Sequence, residues 1–364
     1  MGPMGSVVLS GYYGFNNAGD EAVLYAIIHS LREKIKDIDI TVLSNSPEET
    51  AKTYQVKAVD RWSMRQVLQA IKKADLLISG GGSLLQDVTS WKSIGYYLSV
   101  MLIAKICRKK LVLYSQGIGP VNMKFNRILI KWIVNKADYI SVRDEESKEE
   151  LERLGIKKEI EVVPDPVMAM TLSSEEEEKG RVLLPNQDNK KRLGVYLRDW
   201  KVDSSFYKKV KKVLKWALNE GWEIVFVPMH HPDDIEIARE MSKEIPSSLV
   251  YEGDNSPVNI LSLTNTMDYI LSMRLHGLIM ASVRKVPFIG LSYDPKVDRF
   301  VQTLKVGKTI NIHDFDENDI IMELKEAHLK KDEMKKRISV LEKEIQEASK
   351  KPANYIAKLL SNQK

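Results

Sequence analysis

The stretch "VVLSGYYGFNNAGDEAVL", Val7 to Leu24, decides how the chain is read. An apolar run ends in a loop of three glycines, two tyrosines and an Asn-Asn pair, and an apolar-periodic helix begins around Asp20-Glu21. A strand feeding a helix through a glycine-rich exit is the unit from which parallel sheets are built. The exit is more elaborate than a turn requires, so it is either a long loop or a binding surface. It lacks the G-x-G-x-x-G offsets of a dinucleotide fingerprint and the Gly-Lys-Ser/Thr of a P-loop.

Outward from this stretch the same rhythm repeats. Apolar runs at Val7–Leu9, Ile40–Leu43, Leu76–Ser79, Leu111–Ser115, Tyr139–Val142 and Ile160–Val163 alternate with helical patterns. Acidic and turn-rich residues interrupt the rhythm over 173–191, which reads as a linker. It resumes at Leu193–Leu197, Glu223–Val227, Tyr269–Met273 and Pro287–Leu291. The predicted fold class is α/β: two doubly wound, Rossmann-like domains facing a cleft. They span 6–172 and 192–313, and a charged helical segment follows at 314–364. In that segment Met334, Ile338, Leu341, Ile345 and Ala348 form a seam at steps of four and three, which packs on the molecule's own surface or on a partner helix.

Composition narrows the class. The 364 residues suffice for two cores, and 29% charged with 43% apolar residues is the balance of a globular protein. The single cysteine, Cys107, excludes an internal disulfide and a Cys-based zinc site, and favours a reducing compartment. A net charge of +5 suits anionic substrates but is too small to argue for nucleic acid. The opening residues carry neither the basic nor the apolar part of a secretory signal, and the apolar run Ile94–Ala104 is too short to span a bilayer. Any membrane contact is therefore expected from the surface. The lysines at 208, 211, 212 and 215 and the basic run Arg108–Lys110 are solvated faces or weak lipid contacts.

Ligands of open parallel sheets bind beyond the carboxyl ends of the strands. In the first domain those exits carry Tyr13, Asn17 and Asp20, then Gly80, Gly81 and Gly82, then Arg143. The glycines allow close backbone approach or simply a tight turn. Asn17 and Asp20 suit hydroxyl groups, with a helix N-cap the other reading for Asp20. Arg143 suits an anion or an ion pair with Asp144 or Glu145. In the second domain "DYILSMRLHGLIMAS", Asp268 to Ser282, puts Arg274 and His276 in a strand-to-helix turn with Gly277 opening the helix, an arrangement that attracts anions. The next exit, "GLSYDPKV", adds Lys296. The run "FVPMHHPDDIE" is tempting as a metal site, but adjacent residues in one turn cannot all face one ion. It reads instead as a helix cap through Asp233 or as a border of a ligand.

The ordered set "GYYGFNNAGDEA", "ISGGGSLLQD", "YSQGIGP", "SVRDEES", "VVPDPV", "RLHGLIMA" and "GLSYDPKV" strongly resembles the polysaccharide pyruvyltransferase family, most closely its bacterial CsaB-type members, from about Val7 to Asn311. The resemblance implies a GT-B-like fold. It also implies transfer of pyruvate from phosphoenolpyruvate, as a 4,6-ketal, onto a β-linked N-acetylmannosamine of a lipid-linked secondary cell-wall polysaccharide that anchors S-layer proteins. Phosphoenolpyruvate is then a co-substrate, and no cofactor or metal is required.

On that reading His276 is the general acid, and Arg143, Arg274, Lys296 and Gly277 bind the donor. Asn17, Tyr13, Gly81 and Gly82 line the acceptor, and Asp20 orients it or acts as base. The implied partners are phosphoenolpyruvate and a polyprenyl-diphosphate-linked glycan, with peripheral membrane contact, homo-oligomerisation as an option and no nucleic acid. The implied location is cytoplasmic, at the inner face of the membrane. A GT-B glycosyltransferase using a sugar nucleotide, or a non-catalytic scaffold, are the rivals.

Overall fold

Strands buried on both faces of a parallel sheet need near-continuous apolar runs, whereas edge strands do not. The computed structural model describes residues 5–87, 91–186, 188–200 and 204–361. Among them, β1 (Ser6–Ser10), β2 (Asp39–Ser44), β3 (Lys57–Asp60), β4 (Leu76–Gly80), β5 (Lys110–Gln116), β6 (Tyr139–Val142) and β7 (Glu161–Val162) form one sheet in the order β3-β2-β1-β4-β5-β6-β7. A second sheet contains β8 (Arg192–Tyr196), β9 (Glu223–Phe226), β10 (Leu249–Val250), β11 (Tyr269–Ser272), β12 (Phe288–Ser292) and β13 (Lys308–Asn311), in the order β10-β9-β8-β11-β12-β13. All pairings are parallel; in β1, Leu9 lies beside both Val42 and Ile78. The strand order reverses between β1 and β4 in the first sheet and between β8 and β11 in the second. These switch points are where such sheets receive ligands.

The chain divides into two compact units, one made of Met1–Phe15, Asp20–Ala169 and Glu344–Lys364, the other of Asn16–Gly19 and Met170–Lys343. In the first unit Val8, Leu77, Leu111 and Leu113 pack with Ile94, Leu98 and Met101 of the helix Trp91–Ile106. In the second, Val195, Phe226, Leu271 and Leu291 pack with Phe206, Val210 and Leu214 of the helix Ser204–Asn219. No helix among the described residues is long and apolar enough to cross a membrane.

Two sequence expectations change here. Residues 173–191, expected to be a linker, contain the helix Ser174–Leu183, started by a capping box in which Ser173 and Glu176 satisfy each other's backbone N–H groups. The acidic run is a helix start, because carboxylates favour a helix N-terminus. Gln187, inside that stretch, lies outside the described residues, as do Met1–Met4 and 362–364. The charged C-terminal segment, expected as one body, divides. Met334 and Ile338 are buried in the second unit, where Lys331 bonds Asp268 at 2.9 Å. The helix Lys351–Ser361 belongs to the first, where Tyr355 stacks on Tyr139 with centroids 4.4 Å apart and donates to the Asp138 carbonyl at 3.0 Å.

Ile356, on the buried side of that last helix, has 0% exposure. Ile356→Ala is expected to cost about 2–5 kcal/mol, read as a lowered midpoint in denaturant unfolding.

Candidate active site

In the first unit, glycines decide the geometry of the strand exits. Gly14 has φ +78°, and a Cβ there would come within 2.2 Å of Ser44 Oγ. Its N–H donates to Glu21 Oε1 at 2.7 Å, while Tyr54 donates to the other Glu21 oxygen at 2.6 Å, so the first residues of the helix Ala18–Lys34 clamp the loop. Burial pushes the Glu21 carboxyl up, against the pull of those two hydrogen bonds. After β4, Gly81 at φ +48° and Gly82 at φ +69° leave no room for side chains. A Cβ on Gly81 would lie 1.8 Å from Val23, and one on Gly82 would lie 2.9 Å from the Asp20 carboxylate. Asp20 therefore borders the triglycine backbone. It lies inside the helix and is not its cap.

Tyr13 stands beneath this loop. Its side chain is buried, its hydroxyl donates to the Gly80 carbonyl at 3.2 Å, and burial together with Asp20 and Glu21 holds its pKa well above the usual phenol range. The expectation that Tyr13 lines the acceptor is corrected: a phenol with 1% exposure supports the loop from below.

Arg143, leaving β6, lies over Gly117, where a Cβ would sit 2.6 Å from its NH2. That nitrogen donates to Ser83 Oγ at 3.0 Å, and Nε reaches Asp144 at 3.3 Å. Asp144 is also the cap of the helix Glu145–Arg153, accepting the Ser147 N–H at 2.8 Å. Tyr13, Asp20, Gly81, Gly82 and Arg143 are thus gathered at neighbouring exits of one sheet.

Two residues there escaped the sequence reading. Arg61, just after β3, is buried, donates to the Gly11 carbonyl at 2.8 Å, and lies 4.4 Å from the Tyr96 ring centroid and 5.0 Å from that of Phe15. Phe15 stacks on Tyr12 at 4.0 Å, which gives this exit an aromatic wall. Gln116 follows an irregularity in the β5–β6 ladder at Ser115, whose φ is +49°. It donates to Ser79 at 2.6 Å, and its buried Oε1 has no partner among the described residues. Local pattern singles out neither, since Arg61 follows Asp60 and Gln116 follows Ser115.

In the second unit the buried carboxylate of Asp234 organises the β11 exit. It pairs with Arg274 through both oxygens, at 2.9 Å to Nε with a second bond from NH2, and accepts the N–H groups of Met229 at 3.1 Å and His230 at 3.0 Å. Ser272 Oγ accepts the Arg274 N–H at 3.0 Å and donates to the Arg274 carbonyl at 2.8 Å, which fixes the turn. Arg274 was expected to offer its charge to a ligand; Asp234 already matches that charge. Gly277 was expected to give its N–H to an anion, but that N–H donates to the Arg274 carbonyl at 3.0 Å. A Cβ on Gly277 would meet Ser272 Oγ at 2.6 Å, so the glycine serves strand-to-helix packing.

His276 is in the first turn of the helix Leu275–Val283. Its imidazole lies on the backbone of Gly19, where a Cβ would stand 2.3 Å from Nδ1. The segment Asn16–Gly19 is held in this unit by the Ala18 N–H on the Met229 carbonyl at 2.7 Å and the His231 N–H on the Asn16 carbonyl at 3.1 Å. Asn17 accepts the Gly19 N–H at 3.1 Å and caps the helix Ala18–Lys34. One lone pair of its amide oxygen is thus spent on the cap. In "HHPDD" it is Asp234, and not the expected Asp233, that does the structural work; Asp233 lies 3.2 Å from His230 Nδ1.

At the β12 exit Lys296 Nζ is 3.3 Å from Asp294 and 5.6 Å from the centroid of the Tyr293 ring. Arg198, beyond β8 and missed in the sequence, donates to the Tyr293 hydroxyl at 2.8 Å and stacks on Trp200 at 4.6 Å. Its Nε is buried with no partner among the described residues. Arg198 and Lys296 thus share one tyrosine, and neither is engaged as fully as Arg274.

A family model described as polysaccharide pyruvyl transferase matches residues 17–295. The chain belongs to the polysaccharide pyruvyl transferase family. It is accordingly a pyruvyltransferase acting on polysaccharide. The matched span includes Asp20, Arg143, Arg198 and His276, and ends one residue before Lys296. No curated protein sequence matches the chain significantly.

Similar solved structures are GT-B-like. UDP-GlcNAc 2-epimerase from Neisseria meningitidis bound to UDP-GlcNAc is 14% identical with TM-score 0.66, over 97% of this chain and 100% of that one. Anabaena Alr3699/HepE in complex with UDP-glucose is 13% identical with TM-score 0.63, over 98% and 100%. UDP-GlcNAc 2-epimerase from Methanocaldococcus jannaschii is 18% identical with TM-score 0.63, over 88% and 91%. At such identities the likeness concerns the fold, which pyruvyl transferases share with proteins of other chemistry.

Asp234→Ala would leave Arg274 as a part-buried charge without its carboxylate. The expected loss is about 3–5 kcal/mol of stability in urea unfolding, whereas Arg198→Ala is expected to change stability by about 1 kcal/mol or less.

Proposed function

We propose that the enzyme transfers pyruvate from phosphoenolpyruvate, as a 4,6-ketal, onto a β-linked N-acetylmannosamine of a lipid-linked secondary cell-wall polysaccharide precursor. The product serves the anchoring of S-layer proteins, and the reaction takes place at the cytoplasmic face of the membrane. The observation that carries this reading is His276 at a helix N-terminus, held on Gly19, in the unit that also presents Arg198 and Lys296.

Phosphoenolpyruvate carries a phosphate and a carboxylate and needs fixed cations. Arg198 and Lys296 hold them in the second unit, aided by the first-turn N–H groups ahead of Gly277, and Arg143 at the β6 exit is a further candidate for the donor. Arg274 acts as a positioning residue: through Asp234 it fixes the turn from which His276 projects. His276 protonates the methylene carbon, which becomes the methyl group and leaves the former enol carbon electrophilic. One sugar hydroxyl adds there, the bond to the phosphate oxygen breaks, and the second hydroxyl closes the ketal. Of the two hydroxyl protons, one makes good the proton given to the methylene and the other departs on hydrogen phosphate. Asp20, beside Gly82, orients the acceptor hydroxyls or takes up a proton, and the backbone of Gly81 and Gly82 admits the sugar closely.

The test is phosphate release from phosphoenolpyruvate with a synthetic β-N-acetylmannosaminyl diphospholipid. His276→Gln is expected to reduce turnover on the order of 10²–10⁴-fold with folding retained. Near-normal turnover would remove the acid role. Arg198→Ala is expected to raise the phosphoenolpyruvate concentration for half-maximal rate at least about tenfold. Thermal stabilisation by nucleotide sugars and not by phosphoenolpyruvate would instead favour a glycosyltransferase.

A further inference from the structure

The loop after β5 runs into the helix Lys124–Val134, whose two faces are unlike. One face buries Asn126, Ile130, Ile133 and Val134 in the first unit. On the other, Phe125, Ile128 and Trp132 are 66%, 65% and 51% exposed, and Met123, just ahead of the helix, is 47% exposed. Single exposed apolar residues are ordinary, but a ridge of large ones at steps of three and four on one helix marks a surface meant to be covered.

What surrounds the ridge indicates the kind of cover. Lys124, Arg127, Lys131 and Lys136 flank it, all exposed, and the sequence has no Asp or Glu from Gly119 to Ala137. The Lys136 ammonium lies 3.4 Å from the centroid of the Trp132 ring, a cation and an aromatic ring side by side. An apolar ridge with Trp and Phe, rimmed by basic residues and with no acidic residue on its own helix, complements the boundary between anionic headgroups and acyl chains.

We infer that the Phe125–Trp132 face docks peripherally on an anionic lipid bilayer. This is a different surface from the lysine-bearing helix Ser204–Asn219, which has basic residues without such a ridge. Two of that helix's lysines are already paired, Lys211 with Glu244 and Lys212 with Glu317.

The docking face is tied to the triglycine loop. Asp87, at the end of "ISGGGSLLQD", accepts the N–H groups of Asn122 and Met123 at 2.9 Å each and the Asn126 amide at 3.2 Å. The Gly119 N–H donates to the Leu85 carbonyl at 2.9 Å. A bilayer seated on the ridge is thereby held at a fixed remove from Gly81 and Gly82. That this delivers a lipid-linked glycan to those glycines rests on the function proposed above; the docking itself does not.

The test is flotation of the full chain with vesicles of phosphatidylcholine alone and of phosphatidylcholine mixed with phosphatidylglycerol. Wild type is expected to float with the mixed vesicles, less so as salt rises, and Phe125→Ser/Trp132→Ser to bind them at least about tenfold more weakly. Unchanged thermal unfolding of the variant, and unchanged turnover of a water-soluble acceptor, would exclude misfolding as the cause. Equal flotation of variant and wild type, or no preference for the anionic vesicles, overturns the inference. So does a self-association of wild type that the variant loses while lipid binding is absent from both, which would assign the ridge to a second copy. Wild type that floats but turns over no acceptor would defeat the proposed function and leave the docking face standing.

Discussion

The buried carboxylate of Asp234 is the constraint from which the second unit's site follows. Its two oxygens take the Arg274 guanidinium and the N–H groups of Met229 and His230, so one residue of the helix Asp233–Lys243 fixes the exits of β9 and β11 together. The consequence reaches further, because the Met229 carbonyl accepts the Ala18 N–H and so holds Asn16–Gly19, the strip on which the His276 ring lies. A carboxylate without exposure is tolerable only when every lone pair has a donor, and a network that meets this condition admits few other arrangements.

The first unit reaches comparable rigidity by different means. Its exits are shaped by what glycines leave out: Val23 fills the place a Gly81 side chain would need, Asp20 borders Gly82, and the Arg143 guanidinium covers Gly117. Tyr13 and Arg61 support this backbone from inside, each bonded to a main-chain carbonyl. The result is a buried glycine backbone framed by a carboxylate, a guanidinium and stacked rings.

The fold alone would not distinguish this chemistry. Two of the similar structures are complexes with UDP-sugars on the same architecture, at 13–14% identity. Function in doubly wound sheets resides in the side chains carried to the strand ends.

Much of this was legible in the sequence, because central parallel strands write themselves as apolar runs. β1, β4, β5, β8, β11 and β12 were all read from such runs, whereas β3, β10 and β13 were not. Those three lie at sheet edges, where one side meets solvent and the apolar signal fades. The strand exits, the family motifs and the candidates Asp20, Arg143, His276 and Lys296 follow from local pattern, since a strand, a glycine turn and a helix are specified by neighbouring residues. Pairing was not legible. That Asp234 neutralises Arg274, that Asn17 caps the helix credited to Asp20, that Gly277 spends its N–H on its own helix, and that Arg198 joins Lys296 at Tyr293 all depend on which strands become neighbours. Strand order is set by the burial of whole sheets, and no short stretch of sequence records it. The sequence by itself determined the units of the fold and the residues offered at its strand ends; only the tertiary structure decided which charges a buried partner matches, because that depends on which strands become neighbours.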